Sequence, residues 1–134
     1  LGLDVLLPED YVPALQQRIE IYRELRKATD LEQVRAVGRA LRDRFGQPPE
    51  PAQNLLLEAE IRIMADQAGV DSIQLQNSRL HFMLRDPTRF RAYFARATIQ
   101  PRVVRDEFAV IPAPRAPDNA RLVALFVRDL LAQA

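Results

Sequence analysis

The sequence predicts an α+β fold: an N-terminal three-helix segment, then a small antiparallel sheet of two hairpins with two further helices packed on one side. Three observations lead there. Between residues 13 and 69, apolar side chains recur at spacings of three and four, the period of a helix with a buried face. From Val70 the period drops to two on both sides of Asn77-Ser78, the pattern of a β-hairpin. Gly46, Pro48, Pro49, Gly69 and Pro101 fall where the pattern changes. At 134 residues the chain reads as a single domain, 1–134, made of an extended lead-in (1–12), a helical half (13–69) and a strand-and-helix half (70–134).

In the lead-in, Leu6-Leu7-Pro8 and Tyr11-Val12-Pro13 are expected to be extended, because a residue before proline avoids the helical region. The first helix runs from about Pro13 to Ala28, with Leu15, Ile19, Tyr22 and Leu25 expected on its buried face. Asp30 caps the second helix, and Gln33 is placed to reach back as in a capping box. Leu31, Val34, Val37, Leu41 and Phe45 make its buried stripe. Gly38 interrupts that stripe and predicts the close approach of a neighbouring helix.

The stretch Asp43-Arg44-Phe45-Gly46-Gln47-Pro48-Pro49 ends this helix and turns the chain. Gly46 is expected in the left-handed conformation that closes helices. The prolines forbid continuation, and Pro51 suits the first turn of the next helix. That third helix, about Pro51 to Ala68, is apolar on two sides: Ala52, Leu56, Ala59 and Ile63 on one, Leu57, Ile61, Met64 and Ala68 on the other. Glu58, Arg62 and Asp66, four apart, are expected to form an ion-pair ladder. Gln53, Glu60 and Gln67 form a polar seam.

After Gly69, Ile73 and Leu75, then Leu80, Phe82 and Leu84, alternate with polar residues as two strands. Asp86-Pro87 caps a helix expected to reach Ala97, with Phe90, Phe94 and Ala97 facing the core. Val103-Val104 and Phe108–Ile111 are strands across a turn at Asp106-Glu107. Residues 112–117 form a proline-stiffened connector, and Asp118 caps a last helix to about Ala132 with Leu122, Val123, Phe126, Val127, Leu130 and Leu131 buried.

Composition narrows the chemistry. The chain has no cysteine and one histidine, which excludes disulfides and argues against a structural zinc site. No apolar run is long enough to span a membrane, no signal peptide is visible, and a cytoplasmic location is expected. The chain opens without methionine, which reads as a piece of something longer. No phosphate-binding glycine loop occurs, and His81, the sole candidate for general-base work near neutral pH, sits on a predicted outward strand face beside Arg79 and reads as a plain surface histidine. No catalytic residue, cofactor site or metal site is expected.

The net charge of +1 hides an asymmetry. Residues 1–78 carry nine basic and thirteen acidic side chains, and residues 79–134 carry ten basic and five acidic. Arg79, Arg85, Arg89, Arg91 and Arg96 therefore form a candidate docking surface for an acidic partner. Nucleic acid is the alternative partner, bound by the arginine-rich segment 79–105. Phe82, Phe90 and Phe94 fall on predicted core faces, however, which leaves only Tyr93 to stack on a base, and no RNP, KH or helix-turn-helix signature is present.

The central motif, Asp43, Arg44, Phe45 and Gly46, a short loop with Pro49, then Asn54, Leu55 and Leu56, resembles the C-terminal domain of the bacterial transcription-repair coupling factor family. The entry Leu7-Pro8-Glu9-Asp10-Tyr11-Val12-Pro13, the helix through Ile21-Tyr22, the Asp30-Leu31-Glu32 start and the Ala68-Gly69-Val70 end also resemble it, over roughly residues 6 to 75. The resemblance implies that the parent protein is an ATP-dependent double-stranded DNA translocase. It would engage stalled RNA polymerase and recruit nucleotide excision repair. It further implies a non-catalytic regulatory domain that docks on the N-terminal module of the same chain and masks the site for the damage-recognition subunit, an autoinhibitory role. No catalytic residue carries over, and the motif from Asp43 to Leu56 reads as structural.

Overall fold

The computed structural model describes residues 3–105, 108–112 and 119–133. The expected turn at Asp106-Glu107, most of the 112–117 connector and Asp118 lie outside these residues. Among the described residues there are five helices and four strands: α1 (Leu15–Lys27), α2 (Leu31–Phe45), α3 (Glu50–Gln67), β1 (Val70–Gln76), β2 (Arg79–Leu84), α4 (Pro87–Tyr93), β3 (Arg102–Arg105), β4 (Phe108–Pro112) and α5 (Ala120–Ala132). The α+β class is as expected. The chain divides into two compact units, Leu3–Ile63 and Met64–Ala134, with the boundary inside α3.

The first unit has its own core, in which Val34, Val37 and Leu41 of α2 join Ile21 and Leu25 of α1 and Ala52, Leu55, Leu56, Ala59 and Ile63 of α3. Leu7 and Val12 of the lead-in belong to the same core and are 1% and 0% exposed. Side chains from the helices hold the lead-in there. The Leu7 N–H donates to the Tyr22 hydroxyl at 2.8 Å, and Asn54 Nδ2 donates to the Asp4 carbonyl at 3.0 Å. The Tyr11 hydroxyl donates to the Gly46 carbonyl at 2.8 Å, and its ring tilts against Phe45 with centroids 5.8 Å apart. The motif from Asp43 to Leu56 thus anchors the lead-in through Phe45, Gly46 and Asn54, while Leu55 and Leu56 enter the core and Pro49 accepts the first N–H groups of α3. Asp43 and Arg44 are exposed, with the Arg44 guanidinium 5.2 Å above the Phe45 ring.

Several local expectations are corrected. The buried face of α1 is centred on Ile21 and Leu25, and Leu15 and Ile19 are exposed at 63% and 36%. A strict three-and-four count admitted both faces, because α1 carries apolar residues on each. Asp30 caps α2 by accepting the Gln33 N–H at 2.8 Å, but Gln33 Oε1 accepts from the Thr29 N–H instead of returning to Asp30. Gly46 has φ +84° and ψ −167°, a positive-φ extended conformation rather than the left-handed helical one. A Cβ at Gly38 would meet only Leu56 Cδ1 at 3.5 Å, an ordinary contact, so α3 does not approach closely enough to require glycine. The ladder along α3 does not form. Arg62 instead donates to the Leu25 and Arg26 carbonyls at 2.6 and 3.2 Å, in the last turn of α1, where the helix itself leaves acceptor capacity.

The second unit is built on an antiparallel sheet of order β1-β2-β4-β3. Asn77 and Ser78 join β1 to β2 with φ of 50° and 59°, positive at both central positions as a two-residue type I′ turn requires. The core face carries Leu80, Phe82, Leu84, Ala109 and Ile111, all buried. Phe90 of α4 lies 6.0 Å from Phe82 and 4.9 Å from Phe94, ring centre to ring centre. Helix α4 stops at Tyr93, short of the expected Ala97, and Gln100 Nε2 then donates to the Phe94 and Ala97 carbonyls. The cap of α5 is Asn119, whose side chain accepts the Leu122 N–H at 3.1 Å. Leu122 is 48% exposed, and its expected place on the buried face is taken by Ala124.

Gly69 links these pieces. Its φ is +73°, and its carbonyl accepts the Arg85 and Asp86 N–H groups at 2.8 and 3.1 Å. A Cβ there would stand 2.8 Å from the Asp86 carbonyl oxygen.

The three glycines therefore predict three different outcomes in urea denaturation. Gly38→Ala should stabilise by about 0.5–1 kcal/mol, the helix-propensity gain with no clash to offset it. Gly46→Val should cost about 1–3 kcal/mol through backbone strain alone, since a Cβ meets nothing within 4 Å. Gly69→Ala should cost about 2–4 kcal/mol, because strain and a backbone clash add. Equal effects at the three positions would refute this ordering. A second expectation concerns Tyr93, whose hydroxyl donates to the Leu131 carbonyl at 2.8 Å. Burial raises its pKa above the usual phenol value of 10.0. The folded state then holds the neutral phenol while the unfolded chain ionises, so this stabilisation is complete below about pH 10 and is lost as pH rises through the folded pKa. Tyr93→Phe should lower stability at neutral pH by about 1 kcal/mol and flatten the alkaline fall in the melting midpoint.

Candidate docking surface

The five arginines of the expected surface all belong to the second unit, and all are exposed. Secondary structure sorts them. Arg79 opens β2, where it pairs in register with Gln76 on one side and Pro112 on the other. Arg85 follows the other end of the same strand, roughly 20 Å away at the usual rise of about 3.3 Å per residue. Arg89 and Arg91 stand on α4, and Arg96 follows it. The geometry thus gathers Arg85, Arg89, Arg91 and Arg96 around one short helix and sets Arg79 apart from Arg85.

Arg85 already has partners. Its guanidinium lies 2.7 Å from Asp66 Oδ1 and 3.6 Å from Asp71 Oδ1. The Asp66 hydrogen bond, and then the charge of that carboxylate, push its pKa above the usual arginine range. Asp66 and Asp71 sit on α3 and β1, so no local spacing pointed to this pairing. Among the described residues, Arg79, Arg89 and Arg96 make no ion pair, which leaves their charge available to an external acidic group.

The aromatic side chains near this surface are turned inward. Phe82, Phe90 and Phe94 are buried. Tyr93, the one ring expected to be free for stacking, is half-buried, bonded to Leu131 and packed edge-on against Phe94 at 5.3 Å. His81 is half-buried within β2, between Gln74 of β1 and Val110 of β4. Among the described residues no group of three histidines and carboxylates is placed to hold a metal ion, and no helix is long and apolar enough to cross a membrane.

Comparison with known proteins agrees with the motif-level resemblance. Residues 1–94 match the family model described as TRCF domain. The transcription-repair-coupling factor of Staphylococcus epidermidis is 38% identical over 84 residues, 63% of this chain and 7% of the relative. Those of Buchnera aphidicola and Mycobacterium tuberculosis are 33% and 37% identical over 78 and 73 residues, covering 58% and 54% of this chain and 10% and 6% of the relatives. The chain thus spans about a tenth or less of the length of these relatives. In shape it is similar to a crystal structure of the C-terminal domain of transcription-repair coupling factor, with a TM-score of 0.75 at 19% identity, over 98% of this chain and 89% of that one. With the family model covering the helical half, the hairpin and α4, the chain belongs to the TRCF domain family.

Proposed function

We propose that this chain is the non-catalytic C-terminal regulatory domain of a DNA translocase that couples transcription to nucleotide excision repair. It docks on the N-terminal module of the same protein and masks the site that recruits the damage-recognition subunit. The parent protein then works on double-stranded DNA and RNA polymerase in the cytoplasm, and the domain itself carries no cofactor. The observation that supports this reading is the family match together with the exposed Arg89 and Arg96 at α4, which make no ion pair among the described residues. A releasable intramolecular clamp calls for a modest, polar interface, and tethering to about millimolar effective concentration lets a weak contact suffice. Arg79, Arg85, Arg89, Arg91 and Arg96 are the proposed docking residues. Of these, Arg85 also braces α3 and β1 through Asp66 and Asp71, so it serves the fold as well as the surface. The inward aromatics favour this reading over single-strand binding, which needs exposed rings.

In the full-length protein, replacing Arg89, Arg91 and Arg96 with glutamate should leave the melting midpoint of the domain within a few degrees of wild type, because all three are exposed. A pull-down should then capture the damage-recognition subunit without polymerase, as should a variant lacking residues 1–134. If the deletion captures the subunit and the triple variant does not, the clamp uses another surface. If neither does, autoinhibition by this domain is refuted.

A further inference from the structure

The face of α1 that the sequence pattern assigned to the core is left open by the fold. Leu15 and Ile19 stand one turn apart and are 63% and 36% exposed. At 100° per residue, Tyr22, Arg23 and Arg26 continue the same stripe toward the end of the helix, while Glu20 falls well to one side of it and Glu24 on the opposite face. Tyr22 and Arg26 also line a cavity of about 310 Å³, whose floor is Val5, Leu25, Leu55 and Ala59. Its rim holds Glu58 and Arg62, and the Arg62 guanidinium is fixed in place by the Leu25 and Arg26 carbonyls. The stripe is therefore apolar at one end. At the other it carries three guanidinium groups against one carboxylate, beside an apolar recess.

We propose that this stripe and recess are a docking site for an acidic amphipathic helix of a partner protein. The partner lays apolar side chains one turn apart over Leu15 and Ile19 and places one more in the recess, which is at the lower end of the usual pocket range of about 300–1,000 Å³. Its carboxylates face Arg23, Arg26 and Arg62. From Leu15 to Arg26 the stripe runs about 16 Å at 1.5 Å per residue, three turns of such a helix. A basic partner is disfavoured by the same three guanidinium groups. The site is independent of the arginines around α4, which belong to the other unit.

The probe is a designed fluorescent 16-residue helical peptide with leucines at i, i+4 and i+7 and glutamates flanking them, titrated with the 134-residue chain. Saturable binding should weaken at least tenfold for Arg23→Glu combined with Arg26→Glu, and also for Leu15→Ser combined with Ile19→Ser. These side chains are exposed, so unchanged melting midpoints keep the comparison fair. Binding should fall with added salt and be absent for a peptide carrying lysine in place of glutamate. Amide shifts on binding should cluster in α1, at Val5 and at residues 55–62. No saturable binding to about millimolar peptide, equal binding by both variants, shifts centred elsewhere, or sedimentation in which a second copy of the chain covers the stripe would each overturn the proposal.

Discussion

At Gly69 the backbone meets two demands that no residue with a side chain satisfies. It turns with φ +73° to leave α3, and it brings its carbonyl within reach of the Arg85 and Asp86 N–H groups. The second demand leaves 2.8 Å between a hypothetical Cβ and the Asp86 oxygen. Everything that follows in this unit inherits its placement from that contact. Asp86 caps α4 by accepting the Arg89 N–H, α4 delivers Phe90 to the face of β2, and Arg85 is left beside Asp66 and Asp71. One glycine carbonyl thus fixes the end of the hairpin, the start of a helix and the ion pairs between them.

Much of this was legible in the sequence, because the signals are local. Asp30, Asp86 and Pro87 announce helix starts through side chains that reach only three residues. The hairpin at Asn77-Ser78 follows from alternation and two residues that tolerate positive φ. What was not legible needed distant partners. Arg62 and Asp66 lie on one helix at ideal ladder spacing, yet each finds a partner elsewhere: the carbonyls ending α1 for Arg62, and the Arg85 guanidinium for Asp66. The open face of α1 has the same origin, since periodicity reports that a face is apolar and not whether the fold covers it. The site arginines were readable as exposed, but their division by the length of β2 appears only once the strand is placed.

The likeness to known proteins is carried unevenly along the chain. The family match ends at residue 94, whereas the similarity of shape extends over 98% of the chain. The first part contains positions with narrow solutions, among them Gly46, Gly69, Asn54 and the tyrosines that hold the lead-in. The later strands and α5 ask only for alternation and an apolar face, which many sequences supply.

The lead-in has a mechanical consequence. Leu7 and Val12 are plugged into the first core, and each buried aliphatic side chain resists extraction by about 1.5–3 kcal/mol. Tyr22 of α1 and Asn54 of α3 fasten the backbone around them, and Tyr11 of the lead-in itself reaches out to the Gly46 carbonyl. Tension entering from the N-terminal side would load these fastenings together and pass through them into α1, α3 and the turn at Gly46. The segment before the first helix is a strain-bearing joint, and a pull transmitted along the chain would move the helical unit as one body instead of unravelling it from its end.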